Sequence, residues 1–341
     1  MVRFRGFSKS TKKPELKPDP WWTYGQILDG AERIPQKAEE VDTAWRQYGV
    51  QIAKKAAHSA LLDSEIQASD ITHLVAVTAT NSGSPGYDQI VARELGIPAT
   101  AERLLISGVG CAGGLAALRM ASNLARAATS QGRPARILVL ACEICSIFIS
   151  SELHAASTSQ DMGIGVTLFG DGAAALVVCN SHGMTRENKE KNLPRRFSIV
   201  DSRSAITPGT HDEMEDKVTS TGFRLVLSKN VPKLTSASLA RPFQSLIMEN
   251  GMSGASATDF DWAVHPGGLS IIKGAQAAMG LPDELVVASN EIYRTRGNTS
   301  SVAVLAVLER LRTMEMRKQD VIASSFGPGL TTEMMLLKRW Q

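Results

Sequence analysis

Apolar residues recur at helical spacing from about Val41 to Leu62 and predict a first long helix, with Asp63 near its end. The period changes in ITHLVAVTAT (71–80), where β-branched residues cluster and a strand is expected. NSGSPG breaks the strand, and YDQIVARELG restarts as a helix ending at Gly96. RLLIS reads as the next strand, followed by a glycine-rich turn and a helix from Ala112 to about Ala128. Two near-continuous apolar runs, RILVLACEI (136–144) and GAAALVVCN (172–180), are typical of strands buried on both faces. The polar stretch SHGMTRENKEKNLPRR (181–196) reads as a connector and divides the chain into halves at 1–190 and 191–341.

Beyond the connector the pattern restarts. RFSIVDS predicts a strand, 204–221 a loop and FRLVLS another strand. One helix is expected from Val231 to Asn250, and FDWAVHPGG reads as a strand running into a turn. Helices are expected at Ile271–Met279 and Thr299–Met314, and DVIASSFGPG and TTEMMLLKR close the chain as strands. Strand–helix alternation in both halves predicts a layered α/β architecture around buried central sheets.

Length and composition narrow this picture only modestly. At 341 residues the chain suits two domains or one large layered unit. Hydrophobic content of 43% with 21% charge is that of a globular protein and excludes disorder. A net charge of +3 provides no field that favours nucleic acid as a partner. The one local excess is the basic opening: Arg3, Arg5, Lys9, Lys12, Lys13 and Lys17. It reads as a solvated, partly mobile terminus, or else as a contribution to binding an anionic cofactor. Residues 10–40 read as an irregular, surface-hugging entry.

Cys111, Cys142, Cys145 and Cys179 lie in apolar or glycine-rich surroundings, which fits a reducing compartment rather than a disulfide framework. Cys142 and Cys145 spell C-x-x-C, but with no second pair or clustered histidines no metal site is expected. No apolar run approaches the roughly 20 residues of a membrane span, and the opening residues lack a signal-peptide core. A cytoplasmic location follows as the default.

The stretch LLISGVGCAGGLAALRM (104–120) carries two rival chemistries. Gly108, Gly110 and Gly113 form a G-x-G-x-x-G, the mark of a dinucleotide-binding turn. That fingerprint calls for an acidic residue about 20 positions on, and Arg133 stands there instead. The other chemistry belongs to Cys111. A thiol at the first turn of a helix feels the positive end of the macrodipole, which favours the thiolate, and the flanking small residues leave room for a substrate.

A cysteine nucleophile needs partners. His265 ends the apolar run DWAVH before a Pro-Gly-Gly turn, and Asn298 stands before a helix in RGNTSS. Alone, the first suits a structural histidine and the second an N-cap. Together, a cysteine, a histidine and an amide donor can activate a thiol and stabilise an oxyanion.

The motifs GCAGGLAALR, LFGDGAAAL, HPGG, GNTSS and FGPGL occur in the order and approximate spacing of type III polyketide synthases, the chalcone and stilbene synthase family. The resemblance runs from about Thr72 to Leu337. ITPGT followed by GFRLVLSKNVP is more similar to the fungal and bacterial alkylpyrone or alkylresorcinol synthases than to the plant enzymes. The family implies an α/β thiolase fold, two related halves packed as α-β-α-β-α layers, in a homodimer. By motif, Cys111 matches the acyl-carrying nucleophile, and His265 and Asn298 match its two catalytic partners. Phe169 matches the gatekeeper between the coenzyme A tunnel and the reaction cavity. Ser84 matches a residue that reaches across the dimer interface. Phe326, Gly327, Pro328 and Gly329 match the loop that shapes the cyclisation cavity, and Cys145 and Phe148 match cavity-lining positions.

The resemblance implies that His265 as imidazolium pairs with the Cys111 thiolate, that acyl-CoA and malonyl-CoA are the substrates, and that no metal or redox cofactor takes part. A large aromatic at 148 argues for a flexible fatty acyl starter over a planar one. Ser325 stands where the family's cyclisation loop opens with glycine, so a differently shaped loop is expected. The family also has a first strand and a basic helix for the coenzyme A phosphates ahead of the point where this chain starts. Either the sequence is truncated or the basic opening substitutes in part. Two alternatives stay open: a β-ketoacyl carrier-protein synthase III, which shares the fold and the Cys/His/Asn set, and a non-catalytic acyl-binding dimer.

Overall fold

The computed structural model describes residues 2–5, 38–149, 151–152, 156, 163–184, 197–219, 222–315 and 318–339. The strands are β1 (Val2–Arg5), β2 (His73–Val77), β3 (Glu102–Ile106), β4 (Arg136–Glu143), β5 (Gly172–Cys179) and β6 (Phe197–Ile206). The later ones are β7 (Met214–Thr219), β8 (Gly222–Leu227), β9 (Asp261–Val264), β10 (Asp320–Gly327) and β11 (Thr331–Arg339). The helices are α1 (Ala38–Ser64), α2 (Tyr87–Leu95), α3 (Gly113–Ser130) and α4 (Gly165–Leu168), then α5 (Val231–Ala237) and α6 (Ala240–Glu249). α7 (Leu269–Met279), α8 (Val287–Arg296) and α9 (Ala303–Thr313) complete them.

One ladder of nine strands runs β3-β2-β4-β5-β1-β6-β11-β10-β9 through both halves. β2 is parallel to β3 and β4, and β9 is parallel to β10; the remaining pairs are antiparallel. β1 joins the halves, with Phe4 paired to Val178 on one side and Phe197 on the other. Arg3 and Arg5 therefore belong to a central strand rather than to a solvated terminus. Lys9, Lys12, Lys13 and Lys17 lie outside the described residues.

Alternate residues of each central strand enter different layers. Ile137, Val139 and Ala141 of β4 pack into a middle core with Leu115, Leu118, Val304, Leu305 and Leu308. Leu138, Leu140 and Cys142 face the opposite way, towards Trp45, Ala53, Ala57 and Val91 of the outer helices. β10 and β11 divide likewise: Val321 and Leu337 enter the middle core, whereas Ile322 and Leu336 pack under α6 and α7. With apolar partners on both faces, these strands lose the polar alternation of a half-exposed sheet. The result is α-β-α-β-α, with α3 and α9 between the sheet segments. Burying their methylene surface stabilises the fold at about 25 cal/mol per Å².

The second half departs from the predicted elements in three places. Residues 204–221 are not a loop, because β6 runs to Ile206 and β7 and β8 form a hairpin. The predicted helix over 231–250 is two helices. Pro242 has no N–H to give the carbonyl of Ser238 four residues back, and the Ser238 hydroxyl bonds Thr235 and Thr332 across the break at 2.9 and 2.8 Å. α8 was not anticipated; its buried Ala288 and Ile292 are only one turn apart. The connector is described as far as residue 184. Among the described residues, no helix is long and apolar enough to cross a membrane, and no group of three or more His, Cys, Asp or Glu side chains could hold a metal ion.

Candidate active site

Three chain reversals meet at one cavity of about 850 Å³. The first follows β3: a single 3₁₀ turn, Gly110–Ala112, carries Cys111 into the start of α3. Gly110 sits at φ +46°, and a Cβ there would meet Pro328 Cδ at 2.6 Å. Only glycine combines that backbone with so close a neighbour. The glycines that imitate a dinucleotide fingerprint thus let the FGPG turn lie against the cysteine-bearing turn.

The second reversal joins α8 to α9. Asn298 is held by its backbone: its N–H donates to Leu168 at 2.9 Å, and its carbonyl accepts the Gly170 N–H at 3.0 Å. This bridge places Phe169 beside it. The Asn298 Oδ1 accepts the Ser300 N–H at 2.9 Å, an Asx-turn bond to the residue two positions on, and the N-cap of the following 3₁₀ turn is Thr299. That bond turns Nδ2 towards the Gly267 carbonyl at 3.4 Å and the Cys111 Sγ at 3.8 Å. Ser300 contributes a further contact, with its hydroxyl 3.6 Å from Sγ.

The third reversal ends β9. The His265 N–H donates to the Ser324 carbonyl at 2.8 Å, and the Gly267 N–H donates back to His265 at 2.8 Å, closing a tight turn. The imidazole is 2% exposed, and both ring nitrogens lack a partner among the described residues. A buried, unpartnered ring against a cavity is costly in a resting structure, and marks a group that bonds to something the cavity admits.

Burial pushes the Cys111 thiol up to about 12, reinforced by the charge of Asp216 and opposed by the Ser300 and Asn298 hydrogen bonds. Burial alone pushes His265 down to about 3. Both shifts run against the expected thiolate–imidazolium pair, and among the described residues no hydrogen bond joins the two side chains. Removal of solvent outweighs the helix dipole here, because a dry wall penalises each isolated charge by more than a half-charge at a helix end returns.

Cys111, His265, Asn298, Phe169, Cys145, Phe326 and Pro328 all line the cavity. Ser84, Gly327 and Gly329 do not. Ser84 is on an exposed loop ahead of α2, Gly327 is wedged against Ala112, and Gly329 turns outward at φ +66°. Phe148 ends the 3₁₀ turn Cys145–Phe148, and its side chain lies outside the described residues. Ser325 belongs to β10, fully buried, with its hydroxyl unpartnered among the described residues.

Several site residues were not anticipated. Ser300, at φ +48°, carries no distinctive sequence signal. Glu143 is fully buried behind Ser300: it accepts the Ala79 N–H at 3.0 Å and the hydroxyls of Thr80 at 3.0 Å, Thr78 at 3.2 Å and Ser301. The Trp45 indole N–H anchors Thr80 at 2.8 Å. Burial pushes Glu143 up to about 7 against those four donors. An acid ending an otherwise apolar strand was its only signal. Asp216 and Glu152 also line the cavity.

Residues 36–182 match the chalcone and stilbene synthase N-terminal domain family, and 198–340 match its C-terminal domain family. The type III polyketide synthase pspB of Penicillium soppii is 39% identical over 317 residues, covering 88% of this chain and 78% of its own. The acylalkylpyrone synthase csyB of Aspergillus oryzae is 35% identical over 309 residues, with 88% and 77% covered. Among solved structures, a type III pentaketide synthase from Neurospora crassa superposes with a TM-score of 0.86 at 36% identity, covering 92% of this chain and 84% of that one. CsyB complexed with CoA-SH superposes at 0.87 and 29% identity, with full coverage of both chains. The fold is the thiolase fold, and the chain belongs to the chalcone and stilbene synthase family, the type III polyketide synthases, which are acyltransferases.

Proposed function

We propose that this chain condenses an alkyl acyl-CoA starter with malonyl-CoA by decarboxylative Claisen steps and closes the product to an alkylpyrone or alkylresorcinol. The observation that carries the reading is the convergence of Cys111, Asn298 and an unpartnered His265 on one enclosed cavity. Walls such as Ile164, Leu168 and Leu227 suit an alkyl chain. The names of the relatives, an acylalkylpyrone synthase and an α-pyrone synthesis polyketide synthase-like protein, support the product class.

In this mechanism the neutral His265 takes the Cys111 proton as the sulfur attacks the starter thioester, so charge appears only as the bond forms. Coenzyme A leaves with that proton as the free thiol. Malonyl-CoA then loses carbon dioxide, and the electrons of the broken C–C bond pass to an enolate oxygen. The Asn298 Nδ2–H and the neutral ring N–H of His265 donate to that oxygen. Such preorganised donors are worth about 10²–10³ in rate each. The enolate carbon attacks the acyl-cysteine carbonyl and the sulfur departs, and transfer of the chain back to Cys111 permits another round. Phe169, fixed beside Asn298 by the backbone bridge, walls this region from the coenzyme A side and keeps it dry. None of these steps needs a metal or redox cofactor.

We assign the catalytic halves to 1–190 and 191–341, and propose a cytoplasmic site of action because the apolar or glycine-rich surroundings of the cysteines fit a reducing compartment. A homodimer is proposed through β3, whose outer edge ends the nine-stranded ladder with Leu104 exposed. Ser84 would face the second copy there. The test is mass spectrometry of products from purified protein given malonyl-CoA and acyl-CoAs from acetyl to stearoyl. Pyrones or resorcinols whose mass tracks the starter, lost in Cys111→Ala, are expected. No product from any starter, with the protein folded, would refute the assignment.

A further inference from the structure

A base that activates a nucleophile is ordinarily oriented by a third group bonded to it. His265 has none: both ring nitrogens lack a partner among the described residues. The ring is held by packing instead. A Cβ on Gly267 would stand 3.0 Å from its Cδ2 and 3.1 Å from its Nε2. The Gly267 carbonyl in turn accepts the Asn298 amide at 3.4 Å. The direction of the imidazole is therefore decided by the backbone of residues 264–267.

That backbone is clamped from both sides. β9 ends the nine-stranded ladder, so among the described residues only one of its edges meets another strand. On that edge the His265 N–H donates to the Ser324 carbonyl of β10 at 2.8 Å. Successive N–H groups of a strand point to opposite edges, so that of Val264 points away from β10. There α8 supplies the acceptor: the Val264 N–H donates to the Ser289 Oγ at 3.1 Å, and both residues are fully buried. The same helix reaches the other reacting group. Ser289 lies in its first turn, Ala288 and Ile292 seat it in the middle core, and the Gly297 N–H closes its far end on Tyr293 at 2.9 Å, directly ahead of Asn298.

We propose that Ser289 is a positioning residue for His265, and that α8 is a strut fixing the spacing between the imidazole and the Asn298 amide. This rests on the polyketide synthase reading of the site, in which those two groups donate to one enolate oxygen. Ser289 does not line the cavity and acts only through the strand it holds. Without its hydroxyl the Val264 N–H is buried and unpaired, a state that a chain relieves by shifting until the group finds another partner. The turn at 265–267 moves with Val264, and the ring packed on Gly267 leaves the place where both donors reach the same oxygen.

The experiment measures steady-state product formation for wild type, Ser289→Ala and Ser289→Thr with one acyl-CoA and malonyl-CoA, and follows thermal unfolding of the same samples. In Ser289→Ala, kcat is expected to fall about 10- to 100-fold, since a misplacement of about 1 Å costs about 10²-fold, while both KM values stay within about twofold. Ser289→Thr keeps the hydroxyl and is expected to restore kcat to within about threefold of wild type. If Ser289→Ala does not fold, Ser289→Cys is read in its place, since sulfur accepts only weakly.

A kcat within about threefold of wild type in the alanine or cysteine variant overturns the proposal. So does a loss that matches the unfolded fraction, a rise in KM as large as the fall in kcat, or a threonine variant as slow as the alanine one. Each of these leaves the polyketide synthase reading standing, because wild type still turns over. Wild-type protein that forms no product with any starter overturns that reading, and this inference with it.

Discussion

Gly114 sets the distance between the two helices that carry the reacting groups. It lies in the first turn of α3, three residues after Cys111, where α3 crosses the start of α9. A Cβ at this position would press into the backbone carbonyl oxygen of Ser301, and would stand 3.1 Å from Val304 and 3.2 Å from Leu305. The oxygen belongs to the turn that holds Ser300, so it cannot swing away as a side chain could. Restoring ordinary contacts of about 3.5 Å separates the helices by about 1 Å. Overpacking of this kind costs about 1–3 kcal/mol, offset by up to about 1 kcal/mol from the better helix propensity of alanine. Gly114→Ala is therefore expected to lower the melting temperature by only a few degrees.

Its effect on chemistry should be disproportionate. The Cys111 Sγ contacts, 3.6 Å to Ser300 and 3.8 Å to the Asn298 amide, span this helix junction. A 1 Å misplacement of reacting groups costs about 10²-fold in turnover. Product formation and thermal unfolding are measured on the same preparation, with Gly274→Ala as the control. A Cβ on Gly274 meets the Ser236 hydroxyl, which can rotate at the cost of its 2.7 Å bond to Pro232. That variant should keep activity within about twofold, since the lost bond of about 1 kcal/mol is matched by helix propensity. Gly114→Ala with near-normal turnover, or with activity lost only in proportion to unfolding, would refute this account.

Three further perturbations test other parts of the structure. Asn298→Ala removes the preorganised amide and should lower kcat by about 10²–10³ while the KM for the starter thioester changes far less; a raised KM with kcat unchanged would place Asn298 in ground-state binding. Glu143, raised from 4.5 to about 7 by burial, keeps a proton in the folded chain that the unfolded chain has lost. Its contribution to stability is full below about pH 4.5 and falls by about 3 kcal/mol as pH rises through 7. Denaturant midpoints from pH 5 to 8 should therefore decline less steeply in Glu143→Gln, and parallel slopes would contradict the assigned protonation. Asp261 and Arg339 form an ion pair with both side chains under 10% exposed, and Arg339 also bonds the carbonyls of Lys318 and Leu311. Asp261→Asn should cost about 3–5 kcal/mol in denaturant unfolding by stranding the guanidinium, and a loss below 1 kcal/mol would show that water reaches it.

The elements most legible in the sequence are those whose two faces meet only protein. β4 and β5 bury Leu138, Leu140 and Val177 on one side and Ile137, Val139 and Leu176 on the other, so their strings of apolar letters could be read directly. β7 could not, for the opposite reason. Met214 and Asp216 line the cavity while Glu215 and Lys217 pair with each other, so a paired strand spells a mostly polar segment that resembles a loop. Cys111, His265 and Asn298 stood out because each interrupts its element with a residue type that can move protons or donate to an oxyanion. Ser300 and Glu143, which buttress them, did not: the serine carries no distinctive letter, and the acid at a strand end does not reveal its partners until the chain folds them together.

The shifts of Cys111 and His265 follow the same principle. A helix N-terminus is visible in the letters, whereas the dryness that outweighs it arises from residues distant in sequence. The apolar pattern of a sequence records burial against protein but not burial against a cavity. A wall of the cavity therefore appears in the sequence as a break in the apolar pattern. β7 is such a break, and it carries Met214 and Asp216 in the cavity lining.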